Sequence, residues 1–448
     1  MGHFVPHSDA DIERMLADLG LASLDELFAV VPDALRLARG LALEPGRSEP
    51  DVAFEMERLA AANRCGPELV CFAGAGAYDH EVPAATRRLG SRSEFVTAYT
   101  PYQPEVSQGV LQALFEYQTF VSRLAGLEIA NASLYDGASA TVEALNMAAS
   151  PKGHSTMWVS GALHPNWRAV IKTFAAGSGH EIVEIPTRDG RTDWDAAPPG
   201  EPAAVVVANP NFFGVLEDVS AARTAADLHG AALVVAFDPV SAGLLRTPGE
   251  MGADIAVGEG QPLGTPMSFG GPYLGLFACR RDLVRRLPGR LVGRTRDVAG
   301  RNAYVTTLRA REQDIRREKA SSNVCTNQTL IAVAAMIQLS WLGTSGLAEL
   351  ALRCARGARY TREALLGLPG VEEFVTAATL REFALKLPVD ATTVVERMAE
   401  EGFLAGVAVG VESGLATIDG EALLVSVTER RTKEQIDRYV ECVGKVIR

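Results

Sequence analysis

Residues 231–239 read Ala-Ala-Leu-Val-Val-Ala-Phe-Asp-Pro, an apolar run of strand length that ends in a carboxylate. Similar runs lie on both sides of it, separated by stretches of helical or loop character. They are MWVS at 157–160, EIVEI at 181–185, AAVVVA at 203–208, DIAV at 254–257 and YLGLFA at 273–278. Short apolar runs that alternate with such stretches are typical of a mainly parallel sheet covered on both faces. We therefore expect a large α/β domain over residues 65–330.

The regions before and after this domain have a different pattern. Residues 1–64 predict a helical segment in which Ser8 and Ser23 are N-caps, the latter with capping-box spacing to Glu26. A long apolar helix is predicted to begin near Gln328. After it come strand-like runs at 383–388, 403–409 and 422–428, with helices at 391–401 and from Thr432. This pattern predicts a small C-terminal α+β domain over residues 331–448, an architecture that does not by itself indicate a function.

Composition excludes several classes of protein. The chain has 448 residues and a net charge of -12, without a sustained basic tract, which argues against a nucleic-acid partner. No uninterrupted apolar run approaches the ~18 residues of a membrane helix, and residues 1–16 lack the pattern of a signal peptide. Six scattered cysteines without a C-x-x-C pair indicate free thiols and no metal site. We expect a cytoplasmic protein with no membrane partner.

Three features could bind a ligand. Asp238 follows a strand, and ligands of open α/β sheets gather at the carboxyl ends of strands; an Asp-Pro pair also starts turns. His164 follows the predicted strand at 157–160 and could stack on a flat ligand or be an ordinary loop histidine. The stretch 134–141, Leu-Tyr-Asp-Gly-Ala-Ser-Ala-Thr, opens a helix whose free N–H groups could hold a phosphate. Most helix starts of this kind hold nothing.

Four longer stretches resemble one known family. They are FAGAGAYDH at 72–80, TAYTPYQPEVSQG at 97–109, NPNFFGVLED at 209–218 and REQDIRREKASSNVCTNQ at 311–328. In this order they are similar to the amino-terminal half of the P-protein of the glycine cleavage system, closely over about residues 70–330. Asp314 departs from the pattern, because most relatives are expected to have His there, and its role stays open.

The resemblance implies a pyridoxal-phosphate (PLP) transferase fold of type I. In that fold an Asp at the position of Asp238 pairs with the cofactor's ring nitrogen, and a side chain at His164 stacks on the ring. A lysine that binds the cofactor covalently should follow, but residues 252–271 contain none, and the position near Gln261–Pro262 is empty of an amine. Arginine cannot replace it because it stays protonated. His164 and Asp238 are therefore predicted to form a vestigial PLP pocket.

P-proteins occur as one long chain or as two subunits, and a chain of this length without the lysine resembles the first, alpha, subunit. The resemblance then implies that no catalytic residue lies on this chain and that PLP is held by the second, beta, subunit. Together they would decarboxylate glycine and pass the aminomethyl group to the lipoyl arm of the H-protein, as a heterotetramer. Residues predicted to reach a substrate or cofactor pocket across the interface are Tyr99, Thr100, Tyr102, Gln103, Ser322, Asn323, Thr326 and Asn327.

Two alternatives remain from the sequence. The chain could be a self-sufficient PLP enzyme that uses an unexpected lysine such as Lys319. It could also be a scaffold or regulatory pseudoenzyme of the PLP fold that contributes nothing to an active site. In that case the two predicted pocket segments would only pack against a partner.

Overall fold

A computed structural model describes residues 6–37, 40–64, 69–96, 100–149, 155–308, 320–410 and 421–448. These residues belong to two units, Met1–Arg64 and Cys65–Arg448. The predicted positions Tyr99, Asp314 and Lys319 lie outside the described residues.

The first unit is helical. It contains α1 (Asp9–Leu19) and α2 (Glu49–Ala60), with 3-10 turns at Leu24–Phe28 and Asp33–Leu35. Ser8 caps α1 in a capping box with Asp11. The capping box predicted at Ser23 does not form, because a 3-10 turn follows and the Ser23 side chain makes no capping hydrogen bond. The Glu26 carboxylate instead accepts from the Ala22 N–H.

The second unit is built on a seven-stranded sheet. The described part of this unit before residue 308 contains twelve strands, seven of which form that sheet. They are β1 (Val70–Cys71), β2 (Ile129–Ala130), β3 (Thr156–Ser160), β4 (Glu181–Ile185), β5 (Thr187–Arg188), β6 (Arg191–Thr192), β7 (Ala204–Asn209), β8 (Ala232–Phe237), β9 (Ile255–Glu259), β10 (Gly275–Cys279), β11 (Leu291–Arg296) and β12 (Asn302–Thr307). The seven-stranded order is β2-β10-β9-β8-β7-β3-β4. Neighbours from β9 to β4 are parallel, whereas β10 is antiparallel to β9 and β2. All six predicted strands lie in this sheet.

Helices cover both faces of the sheet. They are α5 (Gln108–Ala125), α6 (Gly137–Ala149), α7 (Pro165–Ser178) and α8 (Val219–Leu228), and they are preceded in the chain by the short helices α3 (Ala84–Gly90) and α4 (Ser93–Val96). Alternate residues of β7 enter different cores: Val206 belongs to a cluster with residues of α6 and α7, and Val205 to a cluster with residues of α8. Because side chains alternate along a strand, a sheet buried on both faces needs continuous apolar runs. This explains AAVVVA and ALVVAF.

A second sheet follows α9 (Thr329–Leu366). Its strands and helices are β13 (Glu372–Glu373), β14 (Glu382–Lys386), α10 (Ala391–Glu400), β15 (Phe403–Leu404), β16 (Val407–Val409), β17 (Ala422–Ser426) and α11 (Lys433–Val446). Four of the strands form a sheet in the order β13-β14-β17-β16, while β15 pairs with β1. Thr432 caps α11 in a capping box with Gln435. The predicted domain boundary between residues 330 and 331 lies within α9. It stays a prediction.

Judged by length and composition alone, α9 is the one helix among the described residues that could cross a membrane. Buried helices of ordinary cores meet the same criterion. The helix breaks at Gly343, whose backbone has a φ of 62°, and its residues Ala332, Ala335 and Leu339 share a buried cluster with residues of α5. This packing is that of a core helix.

Candidate ligand pocket at the strand ends

A small cavity lies at the carboxyl ends of the parallel strands. Its volume is about 90 Å³, and both His164 and Asp238 line it. The structure therefore brings together the two residues predicted to form a vestigial pocket. Glu259 at the end of β9, Pro262 and Arg381 also line it. Ligand pockets for small molecules usually enclose roughly 300–1,000 Å³, so this cavity is small for a cofactor.

Asp238 is occupied by a partner from the same chain. Its Oδ1 lies 3.1 Å from Nη2 of Arg381, and the two side chains are only 14% and 5% exposed. The same oxygen accepts from the Val240 N–H at 3.1 Å, so Asp238 also shapes the turn after β8. The Arg381 guanidinium lies over the ring of Tyr78, 3.6 Å from its centre. Asp238 thus combines a turn with a buried ion pair.

Arg381 is also linked by hydrogen bonds to His80 and, through it, to Glu429. Its Nη1 lies 2.6 Å from Nε2 of His80, and Nδ1 of His80 lies 2.7 Å from Oε2 of Glu429. A guanidinium can only donate, so His80 Nε2 accepts and Nδ1 carries the proton that is donated to Glu429. Burial opposes ionisation of Glu429, but the hydrogen bonds from His80 and from the Glu81 N–H lower its pKa to about 2.

His80, Glu429 and Cys354 together resemble a metal-ligand set, since their ligand atoms lie within 4.8 Å of one another. The chemistry argues against a metal. The Arg381 guanidinium lies 2.6 Å from Nε2 of His80 and uses the ring lone pair that a metal ion would need. His80 is held between a cation and a carboxylate. The set is better described as the continuation of the Arg381 hydrogen-bond network.

A buried carboxyl next to Arg381 fixes the segment 74–78. Oε1 of Glu382 accepts from the Ala75 N–H at 2.7 Å, and Oε2 accepts from the Tyr78 hydroxyl at 2.8 Å. Burial raises the pKa of Glu382 to about 7. The sequence analysis did not single out Arg381 or Glu382. The available signal was a charged pair placed directly before the apolar run 383–388.

The lysine is expected near Gln261–Pro262, where Pro262 lines the cavity and is preceded by Gln261. The Gln261 side chain is buried and fully hydrogen-bonded: Oε1 accepts from the Tyr78 N–H at 3.0 Å, and Nε2 donates to the carbonyls of Tyr78 at 3.1 Å and Thr265 at 2.8 Å. A carboxamide is not a nucleophilic amine. No lysine among the described residues lines the cavity.

His164 is fixed at both ring nitrogens. Nδ1 accepts from the Asn166 N–H at 3.1 Å and caps α7, so Nε2 carries the proton that is donated to the Ala75 carbonyl at 2.8 Å. Burial lowers the pKa of His164, so the ring is neutral near pH 7. Its ring centre lies 5.1 Å from that of Phe212 in an edge-on contact. Its contacts are therefore those of a structural histidine.

The predicted loop at 99–103 presents part of its side chains outward. Tyr102 is 54% exposed, and Gln103 is also exposed. The Tyr102 N–H donates to the Thr100 carbonyl at 2.8 Å, while the Thr100 hydroxyl is buried and has no partner among the described residues. Gln108 donates to the Pro104 carbonyl at 2.7 Å and the Tyr304 carbonyl at 2.9 Å. The loop is thus anchored behind two exposed side chains.

The predicted segment 322–327 is mixed. Asn323 is exposed and Thr326 half-buried, but Ser322 and Asn327 are buried. Asn327 donates to the Ala132 carbonyl at 2.9 Å and accepts from Arg290 at 2.6 Å. Neither segment lines the strand-end cavity. Their assignment to a pocket across an interface stays a prediction, for which Asn323 is the best placed of the four.

Comparison with known proteins identifies the family of this chain. The family model of the glycine cleavage system P-protein matches residues 2–443. The chain belongs to this family. It is 48% identical to the probable glycine dehydrogenase (decarboxylating) subunit 1 of Prosthecochloris aestuarii, over 99% of both chains. It is 46% identical to the subunit 1 of the same description from Moorella thermoacetica, again over 99% of both.

Solved structures support the same assignment. A crystal structure of glycine decarboxylase (P-protein) in an inhibitor-bound form has a TM-score of 0.88 and 43% identity, with 99% of this chain and 100% of that chain covered. A NifS-like protein, at a TM-score of 0.61 and 12% identity, covers 84% of this chain and 99% of its own. That likeness shows the fold alone. The predicted family, its first-subunit type and the fold class are confirmed.

The P-protein family implies PLP, and the residues of this cavity do not fit it. The position near Gln261–Pro262 offers no amine, the Asp that would face the ring nitrogen is paired with Arg381, and the cavity is about 90 Å³. No step of a PLP reaction can therefore be assigned to this pocket.

Proposed function

We propose that this P-protein chain is the subunit of glycine decarboxylase that does not bear PLP. With a second subunit that holds the cofactor, it decarboxylates glycine and transfers the aminomethyl group to the lipoyl arm of the H-protein. The observation that carries the proposal is that the position near Gln261–Pro262, where the family's fold requires a lysine, offers a buried carboxamide and a proline but no amine. The relatives described as subunit 1 of an enzyme cover 99% of this chain, which supports the two-subunit form.

The contribution of this chain is to complete a pocket on its partner. PLP bound there supplies the electron sink that carbanion chemistry requires. Tyr102 and Gln103 lie exposed on an anchored loop, and an aromatic ring with a hydroxyl suits a pocket that excludes water but holds one polar group. Asn323 is the exposed amide of the second segment. These three residues would orient glycine or the lipoyl arm and keep water out.

The assembly and its location are part of the same proposal. We expect one copy of each subunit to pair and two such pairs to form a heterotetramer in the cytoplasm. Sedimentation of the co-purified subunits should give the mass of two copies of each. A stable monomer that ignores the second subunit would contradict this assembly.

The test is a reconstitution. Each subunit is purified alone and the two are then mixed, with glycine–bicarbonate exchange as the assay. This chain alone should show no exchange, and the mixture should exceed the PLP-bearing subunit alone by at least about tenfold. Equal activity of the second subunit with and without this chain would instead support a scaffold or regulatory role.

A further inference from the structure

The N-terminus of α6 already carries carboxylates of this chain. Oε2 of Glu259 accepts from the Gly137 N–H at 2.9 Å, and Oδ1 of Asp136 accepts from the Ser139 N–H at 2.7 Å. A helix N-terminus has free N–H groups and a partial positive charge, so it attracts anions such as phosphate. Here two of these N–H groups are satisfied from within the chain.

Glu259 is fixed in this position. Its second oxygen, Oε1, accepts from the Gln261 N–H at 3.0 Å and the Leu274 N–H at 2.9 Å. Burial raises the pKa of Glu259 to about 7, so the side chain is mostly an anion at about pH 8. Glu259 also lines the strand-end cavity.

The same cavity contains an internal cation. Arg381 lines it and pairs with Asp238 at 3.1 Å. The cavity is thus bordered by an anion seated on a helix N-terminus and a cation seated on a strand-end carboxylate. PLP carries the same two charges, a phosphate group and a protonated ring nitrogen, and the fold offers it these two kinds of partner.

We propose that Glu259 and Arg381 replace the charged ends of the cofactor, Glu259 in the place of the phosphate and Arg381 in the place of the ring nitrogen. Loss of the lysine removes only the covalent bond to PLP. The phosphate and ring contacts could still hold the cofactor without it. The Glu259 carboxylate and the Arg381 guanidinium occupy the groups that would make those contacts. The chain therefore excludes PLP independently of the missing lysine.

The first experiment removes the internal anion. Full-length Glu259→Ala protein is heated at about pH 8 with inorganic phosphate or with chloride at equal ionic strength. Its unfolding temperature should be lower than that of the wild type, and phosphate alone should raise it by a few degrees. Wild type should not respond.

The matched control is Asp390→Ala, which removes the carboxylate that caps α10 by accepting from the Thr393 N–H at 2.7 Å. Phosphate should leave this variant unchanged. Equal stabilisation of both variants, or none for Glu259→Ala, overturns the proposal. If Glu259→Ala does not stay folded, recovery of soluble protein on refolding is the readout, and only phosphate should restore it.

The second experiment uses PLP itself. Equilibrium dialysis measures non-covalent PLP binding to Glu259→Ala/Arg381→Ala and to Glu259→Ala/Arg431→Ala. Arg431 is a suitable control because it is also 5% exposed and pairs with Asp79 at 2.8 Å, away from the cavity lining. The first variant should bind PLP at least about tenfold more tightly than the second or the wild type. Equal affinities would show that Arg381 does not block the ring position.

Discussion

The strand-end cavity and the loop at 100–107 differ in whether their polar side chains are paired within this chain or exposed. In the cavity, Asp238, Arg381 and Glu259 are all satisfied by other groups of the same chain. In the loop, Tyr102 and Gln103 are exposed, and the backbone behind them is fixed by Gln108. The difference indicates where each region acts. Under the proposed function, the groups of the strand-end cavity stabilise this chain, and the loop would offer its exposed side chains to a partner.

The largest expected effect is on the cavity. Arg381→Met leaves Asp238 largely buried without its cation, because the two side chains are only 5% and 14% exposed. Removing one partner of a buried pair costs about 3–5 kcal/mol of unfolding free energy, which denaturant unfolding measures. Arg362→Met is the control, since its pair with Glu373 is 23% and 32% exposed and should contribute about 1 kcal/mol or less. Similar small losses in both variants would mean that the ion pair does not stabilise the fold.

The buried carboxyl of Glu382 gives a pH dependence of comparable size. Burial raises its pKa to about 7, above the unfolded value of about 4.3, so the folded chain binds this proton more tightly. The contribution of Glu382 to stability should therefore be greatest below about pH 4 and fall as pH rises to about 7, by up to about 3 kcal/mol. Glu382→Gln should flatten the fall measured by denaturant unfolding at several pH values. An unchanged slope would contradict the assignment.

Glu429 gives a pH dependence of stability that is opposite in sign to that of Glu382. Its pKa is lowered to about 2, so its stabilisation is present above about pH 4.3 and is lost as pH falls toward 2. Glu429→Gln should therefore reduce the acid-induced loss of stability and leave the slope between about pH 5 and 7 as in the wild type. A change confined to the neutral range would show that the two carboxyls had been assigned in reverse.

A smaller effect is expected at the loop. Tyr102→Phe, made on this chain and tested in the two-subunit complex, should lower glycine decarboxylation by about tenfold, or roughly 1.4 kcal/mol. The PLP content of the partner should stay the same. Tyr360→Phe is the control, because the Tyr360 hydroxyl donates to exposed Asp437 at 2.6 Å and should not affect turnover. Full activity of the Tyr102 variant would reduce the loop to interface packing.

The sequence predicted the sheet better than the cavity for a physical reason. The apolar run ALVVAF can be recognised from the local sequence alone, and it forms β8. The partner of Asp238 is not local, because Arg381 directly precedes β14 of the second sheet. Likewise, the polar sequence around Asn327 does not reveal that this side chain is buried against Ala132 and Arg290. Only tertiary packing decides which polar residues face inward.

Under the proposed function, PLP is bound by the second subunit and not by this chain. Borohydride reduction of the active two-subunit complex, followed by digestion and mass spectrometry, locates the lysine that carries the cofactor. We predict that every reduced PLP adduct lies in a peptide of the second subunit. A reduced PLP adduct on any lysine of this chain, Lys319 included, would contradict the account.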